Sequence, residues 1–273
     1  MRLNMRELMT TLKALKGFFV IAISLAAAQA FATPQQLLTN VHALRLLSTE
    51  SLTNFYMYSG LDADSKYGRK IIENLDKFTV ILNDTRQLPA ADGIKDSIAS
   101  IDKHWEKFDE LIRINYNDME SQGFPNIRLV DEMGKTNAVL LKVLTKAYAD
   151  AQISTGFKPS KIVETARTLA ITMEEITAQY SARGTSNLGQ VFVGSYERTL
   201  EQMAESFRTN LVLLKEQADK KKSARILRGI DSKWNFIERS IKNYNENTVP
   251  FLVTSYSERI IENLEELITL HEF

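Results

Sequence analysis

Apolar side chains in this chain return every three or four positions over long stretches. Ile94, Ile98, Ile101, Trp105, Phe108 and Ile112 are separated by 4, 3, 4, 3 and 4 residues, and Leu227, Ile230, Trp234, Ile237, Ile241 and Tyr244 by 3, 4, 3, 4 and 3. Val193, Tyr196, Leu200, Met203 and Phe207 keep the same rhythm. A mean step of about 3.5 puts each set along one stripe of an α-helix. No useful length of chain alternates with period two, so no sheet is expected.

Proline, glycine and polar clusters cut this pattern into eight helices. The first four are expected over 34–58, 64–85, 93–119 and 125–154, and the second four over 159–182, 188–215, 223–247 and 250–271. Pro34, Pro125, Pro159 and Pro250 each stand where a helix can begin, because a missing N–H and a fixed φ suit the first turn. The best boundary between the two sets is Gly156-Phe157-Lys158-Pro159-Ser160, with a nearly continuous helix through it as the alternative.

The two sets repeat one another. Ile101-Asp102-Lys103-His104-Trp105 returns as Ile230-Asp231-Ser232-Lys233-Trp234, at an offset of 129 that also relates Tyr67 to Tyr196, Phe78 to Phe207 and Leu82 to Leu211. In the opening helices Arg45 answers to Arg167 and Tyr58 to Tyr180, at an offset of 122. The difference is one heptad, so the second set carries an insertion, expected within 184–192, that keeps the stripe in phase. The expected fold is all-α: two tandem four-helix up-down bundles over 33–156 and 157–273, with Trp105 and Trp234 in the two cores. Packed as an internal pseudo-dimer, they would bring Arg45 near Arg167.

The chain opens on a different pattern. Arg2, Arg6, Lys13 and Lys16 precede a run from Phe18 to Ala28 that is apolar apart from Ser24, followed by Ala28-Gln29-Ala30 and Ala30-Phe31-Ala32. This reads as a cleaved signal peptide over 1–32, with a mature start at Phe31 or Thr33 and a periplasmic location. A buried core helix or an uncleaved anchor is the alternative, but a span needs about 20 apolar residues. No later run is apolar enough to be transmembrane. Cleavage removes four basic residues and Glu7 from 34 of each sign, leaving 30 basic and 33 acidic residues. That near-balance gives no field for nucleic acid or anionic lipid. The absence of cysteine excludes disulfides, thiolate metal sites and c-type haem attachment.

Catalytic and metal patterns are scarce. His42, His104 and His271 lie on different elements, none with a glutamate three residues before it, so the Glu-x-x-His pairs of di-iron bundles are missing. There is no His-Glu-x-x-His, P-loop or Gly-x-Ser-x-Gly. Glu258, Glu262, Glu265 and Glu266 read as a solvated helical face, and Lys220–Lys222 as a solvated turn. No metal, cofactor or catalytic set is expected.

Residues 44–60 are more informative. Arg45-Leu46-Leu47-Ser48, continuing to Tyr58-Ser59-Gly60, resembles the opening helix of the sensing domain of type IV pilus chemotaxis transducers (PilJ-type) and NarX-like nitrate sensor kinases, which carries Arg-Met-Leu-Ser-Gln-Arg or a close variant. Thr49 and Glu50 depart from the family's Gln-Arg, and Arg167-Thr168-Leu169-Ala170 keeps only the arginine and leucine. Trp105 and Trp234 match the family's tryptophan in the third helix. The resemblance implies two tandem copies of a ligand-sensing bundle without chemistry of its own. It implies a ligand site around Arg45, Ser48, Tyr58, Arg167 and Tyr180, suited to a small anion by the planar guanidinium fork. Glu50 adds a negative charge near such a site, which puts nitrate itself in doubt. The ordinary alternative pairs the arginines with Glu50, Glu164 or Glu174 on helix surfaces. The expected partner is a separate membrane-bound signalling protein. A structural or adaptor bundle without a small ligand is the second reading, and an enzyme the third.

Overall fold

The computed structural model describes residues 34–184, 198–219, 221–244 and 248–272. Within them lie eight α-helices and no strand: α1 (34–60), α2 (Ser65–Gln87), α3 (Lys95–Gln122), α4 (Ile127–Thr155), α5 (Lys161–Gly184), α6 (Leu200–Gln217), α7 (Ala224–Lys242) and α8 (Pro250–Glu272). A single 3-10 segment, Pro89–Ile94, turns the chain from α2 into α3. No helix among the described residues is long and apolar enough to cross a membrane.

The helix ends show where pattern reading slips. Pro125 and Pro159 precede their helices rather than opening them. Asn126 caps α4 by accepting from the Arg128 N–H, and α5 begins at Lys161. Gly123 and Gly156 close α3 and α4 with left-handed φ of 81° and 66°, the conformation a glycine adopts without penalty. The sixth helix does not run through from 188. Arg198 and Thr199 are non-helical, and α6 starts at Leu200, where Thr199 and Gln202 form a reciprocal capping box. Val193, Tyr196 and the heptad insertion from 185 onward lie outside the described residues. α7 ends at Lys242, short of the expected 247, on an Asn243 N–H that donates to Arg239.

Buried apolar side chains form two clusters. One is drawn from residues 37–151 with Ala182, the other from 162–268. In the second, α5 packs on α6 and α8, and α7 packs on both of those, as in an up-down bundle. The tryptophans hold matching places. Phe78 stacks on Trp105 with centroids 3.6 Å apart, and Phe207 lies 4.2 Å from Trp234. Both indoles are buried. The repeat seen in sequence is thus a repeated α2–α3 and α6–α7 packing contact.

The opening helices differ from all the others. Residues 51–58 of α1 and 176–182 of α5 are buried without a break, so neither segment has an outer face. Several of their hydroxyls return to their own backbone: Ser51 donates to Leu47 O, Thr53 to Thr49 O and Thr177 to Met173 O. Such bonds satisfy a buried hydroxyl without a partner helix.

What surrounds them is each other's bundle. Thr39 meets Arg167 and Thr53 meets Glu174, so α1 and α5 run parallel. Helix α8 runs antiparallel along α1: Gln35 donates to the Glu272 carbonyl, His42 to Glu265, and Thr254 to the Met57 sulfur. Helix α4 treats α5 in the same way, through Tyr148 and Gln152 on Glu164. The centre of the molecule is therefore a layer of α1, α4, α5 and α8 with approximate two-fold symmetry, α1 exchanging with α5 and α4 with α8.

Candidate functional site in the cleft between the bundles

A cleft of about 710 Å³ opens beside this central layer. Its floor is α1 and α5, and its walls are α4 and the first turns of α6. Four basic residues reach it, Arg45, Lys142, Lys146 and Arg198, against one carboxylate, Glu175. Lys146 is held by Asp150 and Arg198 by Glu175, each at 2.6 Å. Leu52, Leu141, Ile171, Ala178 and Met203 supply apolar surface.

Arg45 is the unusual member. Its guanidinium carbon lies 5.3 Å from the centre of the Tyr148 ring, a cation–π contact, and its Nε is buried without a hydrogen-bond partner. Among the described residues no carboxylate lies within ion-pair distance of it. Burial draws its pKa below the ordinary arginine value, against the opposing pull of Tyr148, Glu175 and Glu164.

Arg167, its counterpart in the repeat, also has a buried Nε without a partner, but its terminal nitrogens are paired. It is 1 % exposed, donates to Tyr148 Oη at 2.8 Å and Thr39 Oγ1 at 2.9 Å, and forms an ion pair with Glu272. Its guanidinium carbon also lies 5.7 Å from the Tyr148 ring centre. The two arginines of the repeat therefore meet at one tyrosine. Tyr148 is held as a neutral phenol, its pKa raised chiefly by burial.

The difference follows from the approximate symmetry. In the second bundle, Glu272 of α8 touches Arg167 of its own bundle and Thr39 of the other opening helix. In the first, Tyr148 of α4 touches Arg45 of its own bundle and Glu164 of the other opening helix. A carboxylate in one half is matched by an uncharged phenol in the other, and Arg45 is left without a counter-ion.

The other sequence-derived positions do not converge here. Ser48 is buried one turn from Arg45, but its hydroxyl donates to the Arg45 carbonyl and its own carbonyl accepts from Asn137. Tyr58 lies 13 residues further along α1, about 20 Å away at 1.5 Å per residue. It stacks on Tyr116, donates to Glu120, and lines a separate cavity of about 460 Å³. Tyr180 is fully buried at the equivalent end of α5, where its hydroxyl accepts from the Val249 N–H and ties α5 to the start of α8.

The expected carboxylate partners are also elsewhere. Glu164 accepts from Tyr148 and Gln152, not from an arginine. Glu50 and Glu174 gather with Glu258 and Lys70, away from the cleft wall. Burial first, then Glu50 and Glu258, pushes the Glu174 carboxyl well above the usual carboxylate range. His42 is buried behind the arginines. It donates from Nε2 to Glu265 at 2.9 Å, while burial holds its pKa below the ordinary histidine value. No group of metal-ligating side chains occurs among the described residues.

Sequence reading missed Tyr148, Glu272 and Thr39. They lie 19, 105 and 128 residues from the arginine they serve, and no local motif marks them. Compared with models of protein families, with curated proteins and with solved structures, the chain matches none.

Proposed function

We propose that this protein is an exported, periplasmic ligand-sensing module that takes a small anion into the cleft between its two bundles. It passes the event to a separate membrane-bound signalling protein. One observation carries the reading: Arg45 stands in the cleft wall without a counter-ion, while its replica Arg167 is neutralised within the protein. A buried cation without a partner is costly, so an anion that pairs with it gains a charge-assisted contact.

The relay follows from where the anion sits. A ligand on Arg45 touches α1 and α5 together, the two helices enclosed by both bundles. Pairing there favours one packing of the bundles over another, and the outer helices carry that shift to a partner. Titrating the mature protein with nitrate, nitrite and acetate, by calorimetry and thermal shift, tests the reading. Saturable binding that is lost in Arg45→Gln supports it. No heat and no shift with any of these anions or with larger organic anions counts against it.

A second reading, an adaptor bundle without a small ligand, is favoured by Phe236. That side chain is 54 % exposed and stacks on Tyr256 on the outer side of α7 and α8. The same surface also suits the sensing protein's contact with its output partner.

A further inference from the structure

Taking the anion-sensing reading as its basis, we infer that the cleft is built for an amphipathic monocarboxylate: one carboxylate head on Arg45 and an apolar body laid along α1 and α5. Three observations lead there.

The first is size. Pockets that enclose whole organic ligands run from about 300 to 1,000 Å³, and a water-sized species occupies only about 30 Å³. A cleft of about 710 Å³ is far larger than an ion of three or four atoms needs.

The second is the character of the walls. From Arg45 the floor continues along α1 to Leu52, seven residues or about 10 Å further on. Ile171, Ala178 and Met203 accompany it from the other bundle and Leu141 from α4. The charged end is thus followed by apolar surface, interrupted by Thr49, Thr172 and the Glu175–Arg198 pair. Lys146 and Arg198 are already held by Asp150 and Glu175, each at 2.6 Å, so the ligand's charge is taken by Arg45, which favours a monoanion over a dicarboxylate.

The third is the internal replica. Around Arg167 the protein shows which group satisfies this arginine: a carboxylate, that of Glu272, flanked by the hydroxyls of Tyr148 and Thr39. Arg45 shares the ring of that tyrosine, through its face, and among the described residues has neither the hydroxyl contacts nor the carboxylate. A ligand carboxylate completes in the first bundle what Glu272 completes in the second.

The test is calorimetric titration of the mature full-length protein with octanoate, phenylbutyrate, acetate, nitrate and octanol. Octanoate or phenylbutyrate should bind at least about tenfold more tightly than acetate or nitrate, a difference of about 1.4 kcal/mol. Arg45→Gln should weaken octanoate by about tenfold or more. Ala138, exposed on the α4 wall, can be enlarged without touching the core. Ala138→Phe should therefore weaken octanoate and spare nitrate, and it decides the matter if Arg45→Gln fails to fold. Arg45-dependent binding of nitrate or acetate as tight as that of octanoate overturns the amphipathic assignment and leaves the anion-sensing reading standing. Octanol binding as well as octanoate overturns the carboxylate head. Silence with every anion overturns both.

Discussion

Arg45 and Arg167 approach the same ring, that of Tyr148, yet only Arg167 has a carboxylate beside it. The repeat places the arginines alike, and one difference at the end of the partner helix, Tyr148 against Glu272, separates their electrostatics. This makes the pair an internal experiment, since the two guanidiniums share a neighbour but not a counter-ion.

Removing the counter-ion should therefore be costly and removing Arg45 should not. Glu272→Leu leaves a buried guanidinium uncompensated and should lower the unfolding free energy by about 3 kcal/mol, the low end for breaking one side of a buried pair. Arg45→Met gives up a cation–π contact of about 0.5–1 kcal/mol and relieves an unpaired buried charge, so its net effect should be small. Urea unfolding of both variants decides. Equal losses would mean that Arg45 has a partner of equivalent strength.

Glu174 should destabilise the protein at neutral and alkaline pH. Its carboxyl is raised by burial and by Glu50 and Glu258, so the folded state holds its proton at higher pH than the unfolded chain does. The stabilisation from that proton is complete below the unfolded value and is lost as pH rises through the folded one. Glu174→Gln keeps the shape without the charge. Its melting temperature should exceed that of the parent by a few degrees at pH 8, about 1 kcal/mol or more at this chain length, and the gap should narrow toward pH 4. A gap that stays constant with pH would show that the carboxyl is not the cause.

His42 acts with the opposite sign. Burial depresses its pKa in the fold, and Arg167 and Arg45 add to that, outweighing the pull of Glu265. Its contribution is therefore present above about 6.5, the ordinary histidine value, and is lost as pH falls through the folded pKa. The parent should lose stability between pH 7 and pH 5 more steeply than His42→Gln does, as followed by helical circular dichroism during urea unfolding.

The duplicated aromatic contact can be measured in both halves. Trp234→Ala should cost about 3–5 kcal/mol, and Trp105→Ala a similar amount. Double-mutant cycles of Phe78 with Trp105 and of Phe207 with Trp234 should each return a coupling of about 0.5–1.5 kcal/mol. Coupling in one half alone would show that the two packing contacts are not equivalent in energy.

Much of the fold was legible because amphipathic helices announce themselves. Ile101 to Ile112 and Leu227 to Ile241 carry a single apolar stripe, and the structure buries that stripe. Helices α1 and α5 were harder. Their buried Ser51, Thr53, Glu174 and Gln179 read as a polar face, and only the second bundle, packed on that side, makes it interior. The start of α6 was misplaced by following a stripe through Tyr196, although Thr199-Leu200-Glu201-Gln202 carried the cap signal. Of the candidate site, Arg45 and Arg167 could be named from the repeat. Tyr148 and Glu272 could not, because their significance comes from a helix crossing between bundles that no short spacing encodes.

The pairing of α1 with α8 bears on how the molecule is made. Gln35, Thr39 and His42 find their partners at Glu272 and Glu265, more than 220 residues later. Until α8 docks, the flank of α1 that it covers stays open. Contacts of such separation are slow to close, because the intervening loop must first be ordered. A chain of this design is therefore exposed to misassociation until α8 docks on α1, and holding factors that shield apolar flanks should act on it before then.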